Sequence, residues 1–293
     1  MIEENHCHLV SSFGLRLSCN FYTTNENDPT NFDIKMSDIK FGSLVYIQTD
    51  ALYNLYKSLH LIHEPFFLVS GGSDYTIPSH DVFSSGNHEF FELLNHPKII
   101  HMFAQNCIIR HHKITSIPIG IDYHTMFRKP QCYDSWGGFC TPIEQEMLLL
   151  HLRDTATPLN ERELLCYSNF HFSTTYQDRK DAIAMIPKEI IYYEPNYVDR
   201  TTTWTHQVKY PFVISPHGNG LDCHRTWEAL ALGCIPIVRT SPIDILYQDL
   251  PVLIVSNWSD ITGDLLKNTI NWYMNTTFNF DKLSLSYWCN LSK

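Results

Sequence analysis

The chain predicts a two-domain α/β protein, each domain a doubly wound, Rossmann-like parallel sheet, with a cleft between the two. Three observations lead there. From residue 43 onward, short apolar runs alternate with longer helical patterns, the order expected of βαβ units. The 293 residues are 44% hydrophobic, enough for two cores, and chains of this length usually divide. A Pro- and Gly-bearing stretch, 127–150, interrupts the alternation once.

In the first half, SLVYIQT (43–49), PFFLVS (65–70), KIIHMFAQN (98–106) and KITSIPIG (113–120) read as strands. Between them, ALYNLYKSLHLI reads as a helix with Thr49 or Asp50 as its cap and Leu52, Leu55, Tyr56 and Leu59 on one face. HEFFELLNH is a second, shorter helix. The first 40 residues carry no periodicity that places them, and TTNENDPTN (23–31) reads as a loop. The second half repeats the style. ERELLCYSNF, EIIYYEP, FVISP, CIPIV and LPVLIV are strands; TYQDRKDAIAMI and CHRTWEALAL are helices. The domains are expected at 1–128 and 129–272. The amphipathic DLLKNTINWYMN (264–275) is expected to cross back to the first domain, and the tail, 273–293, to pack on it.

The net charge of −10 and the absence of a basic run argue against nucleic acid as a partner. Nine unevenly spaced cysteines without a C-x-x-C pair suggest reduced thiols and no structural zinc. His6-Cys7-His8 and His111-His112 lack a ligand spacing, so no metal is expected there. No apolar run reaches the length of a membrane span, and the polar start lacks a signal-peptide core. A cytoplasmic chain is the expectation.

The most informative stretch is FVISPHGNGLDCHRTWEALALGCIPIV, 212–238. A strand, a loop with two glycines, a helix and another strand place a helix N-terminus at the sheet's carboxyl edge. Exposed N–H groups there favour a phosphate or pyrophosphate. His217, Gly218, Asn219, Gly220 and Asp222 crowd the loop, with Asp222 also a candidate N-cap. On the helix, Trp227, Leu230 and Ala231 form a packing face, while Arg225 and Glu228 lie three apart beside it.

This stretch resembles the donor-binding region of exostosin-like glycosyltransferases, where an R-x-x-E-A-L helix precedes G-C-I-P-V. It is more distantly similar to other two-domain GT-B transferases. The resemblance implies a GT-B fold, a nucleotide-sugar donor with UDP as the nucleotide, and a glycan acceptor. Under it, Arg225 meets the diphosphate and Glu228 the ribose. The first glutamate of the two-glutamate GT-B pattern falls on Gly220, so the half of the pattern often linked to retaining chemistry is missing and inversion is the expectation. AQNCIIRHHKITSIPIGIDYHTMF (104–127) is similar to the end of the first domain in such enzymes. SNFHFSTTYQDRKDAI is similar to the opening of the donor domain, with Arg179 or Lys180 near the phosphates.

Inverting transfer needs a base to deprotonate the acceptor hydroxyl. Asp74, after two glycines in LVSGGSDYTIP, is the first candidate, and Asp122 and His124 in PIGIDYHT are second candidates at the domain junction. No D-x-D occurs at a strand end, so metal-independent chemistry is expected, with no cofactor beyond the donor itself. Two alternatives stay open: a GT-B-fold module that binds glycan or nucleotide without turnover, and a sugar-nucleotide epimerase.

Overall fold

The computed structural model describes residues 3–23, 28, 30, 33–83, 86–170 and 177–290. It contains two parallel sheets of five strands each. The first comprises β1 (Phe21–Tyr22), β2 (Leu44–Gln48), β3 (Phe66–Gly71), β4 (Ile99–Ala104) and β5 (Ile114–Ser116), in that spatial order. Side chains alternate across a strand, so each strand feeds two cores. Val45, Ile47, Leu68, Met102 and Ala104 face Leu52, Leu55, Phe90 and Leu93 of the helices Leu52–Ser58 and Asn87–Asn95. Tyr46, Val69 and Phe103 point the other way, toward Leu9, Val10, Leu15, Leu285 and Trp288.

This half is therefore wound in one direction, not doubly wound as expected. Right-handed crossovers that always advance the same way leave their helices on one face. The termini cover the other. Leu9 and Ser284 form an antiparallel bridge, Val10 N–H donates to Leu283 O (2.8 Å) and Leu285 N–H to His8 O (2.8 Å). The helix Ser12–Leu17 starts where the Ser11 hydroxyl accepts from Gly14 N–H (3.0 Å), and it is too short to leave a periodic signature in the sequence. Gly120 meets this segment at φ +68°. A Cβ there would lie 2.1 Å from the Val10 carbonyl oxygen, so only glycine fits.

The helix Gly263–Met274 does not cross back. It buries Leu266 in the second domain, and the return to the first is made by the later segment, Leu283–Cys289. The helix after β2 also starts later than expected. Thr49–Ala51 is a 3-10 turn, and the Thr49 hydroxyl bonds the Ser70 hydroxyl (3.3 Å) in place of capping.

The second sheet contains β6 (Cys166–Ser168), β7 (Ile191–Tyr193), β8 (Phe212–Ile214), β9 (Ile235–Arg239) and β10 (Leu253–Val255). Their spatial order is β10-β9-β8-β6-β7. The chain steps from β6 outward to β7, then returns to β8 on the other side of β6. That reversal is a topological switch point, and ligands of such sheets bind in the crevice it opens. The sequence reading missed the helix Arg200–Gln207 between β7 and β8; its N-cap Asp199 accepts from Thr202 N–H (2.7 Å). One apolar cluster runs across the junction, from Tyr46, Val69 and Phe103 to Trp227, Leu230 and Tyr247. Polar contacts join it: the Glu146 carboxylate, on the helix Pro142–Thr155, accepts from His8 N–H (3.0 Å), Leu9 N–H (2.7 Å) and the Tyr123 hydroxyl (3.0 Å).

Glu4 is buried beside this junction, with one carboxyl oxygen accepting from the Ser11 hydroxyl (2.7 Å) and the other unpartnered. Burial pushes its carboxyl up to about 7, against the opposing pull of His124 and Ser11. A folded-state value above the unfolded one contributes stability fully present at low pH and lost as pH rises through 7. Glu4→Gln is thus expected to stabilise the fold at pH 8, by at most about 3 kcal/mol, and by much less at pH 5. Denaturant unfolding at the two pH values checks this; equal effects at both would refute it.

Among the described residues, no helix is long and apolar enough to cross a membrane. Most of the predicted loop 23–31 and residues 171–176 of the predicted donor-domain opening lie outside the described residues.

Candidate active site

A cleft of about 780 Å³ opens at the carboxyl ends of the strands, over the β6/β8 switch point. Asp74, Ile119 and Asp122 border it from the first domain. Phe170, Arg179, Arg200, Gly218–Gly220, Arg225 and Glu228 border it from the second. It is large enough to hold a drug-sized or nucleotide-sized ligand.

The loop after β8 is pinned at both ends. At its start, His217 N–H donates to the Asp178 carboxylate (2.8 Å), which also accepts from Trp258 Nε1 (2.8 Å) and pairs with Arg239 (2.9 Å). At its end, Asp222 N–H donates to Asn106 Oδ1 (2.9 Å), and the Asp222 carboxylate accepts from Ile119 N–H (2.8 Å), Trp227 Nε1 (2.8 Å) and the Tyr247 hydroxyl (3.3 Å). Burial pushes the Asp222 carboxyl up to about 6, despite these donors. Between the pins, Gly218 and Gly220 let the loop approach its neighbours. A Cβ on Gly218 would stand 3.0 Å from Arg179, and one on Gly220 would stand 2.9 Å from Asn106 Nδ2 and 3.3 Å from the Asp74 carbonyl. A side chain at 220, where the two-glutamate pattern has its first glutamate, would press on Asn106 and the Asp74 carbonyl of the first domain.

The helix His224–Ala231 follows. Trp227, Leu230 and Ala231 are buried in the core, while Arg225 and Glu228 both border the cleft. Arg225 Nη1 donates to Pro216 O (3.2 Å), and its guanidinium lies 5.7 Å from the centre of the Phe170 ring. Glu228 sits deeper, 8% exposed. One of its oxygens is bonded by Arg200 and the other accepts from Trp204 Nε1 (3.1 Å). Arg200 donates with its other arm to Asp122 (3.0 Å), and the guanidinium is flanked by the rings of Trp136 (4.9 Å) and Trp204 (5.2 Å). Burial alone would lower the Arg200 pKa, but the Glu228 and Asp122 carboxylates raise it. Burial likewise drives the Asp122 carboxyl up, but His124 and Arg200 hold it well below the carboxylate range.

The structure brings together Asp74, Asp122, Arg179, Gly218, Asn219, Gly220, Asp222, Arg225 and Glu228 around one cleft. His217 and His124 do not border it. The His217 ring turns toward Asp178 (3.7 Å), where burial lowers its pKa, and His124 pairs with Asp122 (3.0 Å) and stacks on Phe13 at 4.9 Å. Two further assignments are corrected by packing. Asp222 is not the N-cap, which is Cys223. Its carboxylate is engaged by Ile119 N–H of the first domain and by Trp227 and Tyr247 of the second. Asp122 is committed to Arg200, His124, Thr125 N–H (3.0 Å) and the Thr125 hydroxyl (2.8 Å), which together occupy the acceptor sites a base would need.

Sequence reading missed Arg200, Trp136, Trp204 and His224, whose Nδ1 donates to Gly120 O (2.7 Å). The signal for the first was present in D-R-T-T-T-W: a capping Asp followed by Arg and Trp four apart on one helix face. Among the described residues, no group of three or more His, Cys, Asp or Glu side chains is arranged to hold a metal ion. No family model and no curated protein matches the chain.

Proposed function

We propose that the protein is a GT-B glycosyltransferase that moves a sugar from a nucleoside diphosphate, UDP by resemblance, to a hydroxyl of a glycan, with inversion and without a metal. One observation carries the reading. A single cleft at a switch point faces Arg225, two glycines and the buried carboxylate of Glu228 on one wall, and Asp74 on the other.

In this reading the diphosphate lies against Arg225 and the backbone of Gly218–Gly220, where charge develops as the bond to the sugar breaks. Glu228 accepts from the ribose hydroxyls on lone pairs that Arg200 and Trp204 do not use. Asp74 takes the proton of the acceptor hydroxyl, and the acceptor oxygen attacks the anomeric carbon as the diphosphate leaves. Arg225→Ala is expected to lower kcat/KM by about 10²–10³, the usual cost of removing one donor to a developing anion. Sugar transfer from a panel of nucleotide sugars, with circular dichroism to check the fold, tests it. Full activity in a folded variant contradicts the reading, and binding without turnover in the wild type would favour the non-catalytic alternative.

A further inference from the structure

The helix Arg200–Gln207 presents a stripe to the cleft that the chemistry above uses only at one end. Arg200, Thr203 and Gln207, spaced i, i+3 and i+7, all border the cavity. The stripe is about 10 Å long at 1.5 Å per residue. Its first two members are engaged within the protein, with only the Arg200 Nε left without a hydrogen-bond partner. Arg200 is held by Asp122 and Glu228. The Thr203 hydroxyl donates to Asp199 O (2.8 Å) and accepts from Asn169 Nδ2 (2.7 Å).

Gln207 is different. It is 2% exposed, and its Nε2 is buried with no hydrogen-bond partner. A buried amide N–H left unmade carries its full desolvation cost, so such a group calls for a partner that arrives from outside. The surroundings narrow what that partner is. Tyr167 and Val213, paired across β6 and β8, also line the cleft and add an aromatic and an aliphatic side chain to its wall. Arg225 and Glu228 occupy other parts of the same cleft, so in the proposed donor orientation the phosphates and ribose are already placed. Two parts of the donor are left over: the sugar, bonded to the diphosphate and facing Asp74, and the base, bonded to the ribose at Glu228, whose partner Trp204 lies on the helix that carries Gln207.

We infer that Gln207 reads the edge of the nucleobase. Its amide offers one donor and one acceptor side by side, the complement of a ring edge that carries an N–H beside an acceptor. This rests on the nucleotide-sugar reading and extends it by a residue that discriminates the base.

Calorimetric titration of the full chain with UDP, GDP, ADP and CDP, and with ribose 5-phosphate and pyrophosphate, tests the assignment. Gln207→Leu keeps the side chain's bulk and removes both hydrogen bonds. It is expected to weaken the tightest of the four nucleoside diphosphates by about 10-fold or more, since a bidentate amide–base pair contributes about that much. Ribose 5-phosphate and pyrophosphate should bind as to the wild type. A second arm needs no variant: the same nucleotide methylated at the ring nitrogen of that edge should lose a comparable factor on the wild type. Unchanged nucleotide affinity in the variant and for the methylated base, or an equal loss for pyrophosphate, overturns the base subsite alone. A wild type that binds none of the four overturns the transferase reading and this inference with it.

Discussion

Asp74→Asn is expected to reduce transfer by about 10²–10⁴ while leaving nucleotide affinity intact, because a base acts on the acceptor and not on the donor. The position of Asp74 supports that division of labour. It follows β3 after Gly71 and Gly72, and Gly72 N–H donates to Gln105 Oε1 (2.9 Å). Gln105 is anchored in turn to Pro118 O (2.8 Å) and the Ser12 hydroxyl (2.9 Å). Asn106, at φ 50°, donates to Ser73 O (3.3 Å) and accepts from Asp222 N–H (2.9 Å). The loop that carries Asp74 is thereby fastened to the loop that carries Gly218 and Gly220. Its side chain stays exposed at the cleft. A variant that loses donor binding along with transfer would show Asp74 to be a structural residue of that fastening.

Arg200→Met is expected to destabilise the fold by about 3–5 kcal/mol, the usual result of stripping one partner from a buried ion pair. For a chain of this size that is on the order of 10 °C in Tm. The reason is the isolation of Arg200: it is the cation bonded to both Asp122 and Glu228, and all three side chains are nearly inaccessible. Removing it leaves two buried carboxylates without their shared cation, with His124 still beside Asp122, and two tryptophans lose their cation–π partner. Glu228 would also turn from its present orientation, so donor affinity should fall with stability. Adding Glu228→Gln to Arg200→Met should recover part of the stability but none of the affinity, since the coupled pair is no longer additive. Equal stability of wild type and Arg200→Met would refute the account of this cluster.

Much of the second domain was legible in the sequence because its signals are local. The strand, loop and helix of 212–232 carry their phase in the spacing of Trp227, Leu230 and Ala231, and the same phase sets Arg225 and Glu228 toward the cleft. What was not legible depends on distant pairing. Nothing near Asp222 in sequence announces that Ile119 will consume its carboxylate from 103 residues away. The direction of winding of the first sheet is likewise hidden. Tyr46, Val69 and Phe103 show that strands have two apolar faces, but only the paired ends of the chain, Leu9 with Ser284, reveal what covers the second. The polar stripe of Arg200–Gln207 was overlooked because R-T-T-T-W-T-H-Q is poor in the apolar residues by which helices are recognised.

The most direct test of the central claim is calorimetric titration of the protein with UDP, GDP and their sugars, comparing wild type with Arg225→Ala. A donor site in this cleft predicts saturable 1:1 binding of at least one nucleotide sugar to the wild type, weakened at least tenfold in the variant. No binding of any nucleotide sugar to the wild type, or equal affinity in a folded Arg225→Ala protein, would contradict it.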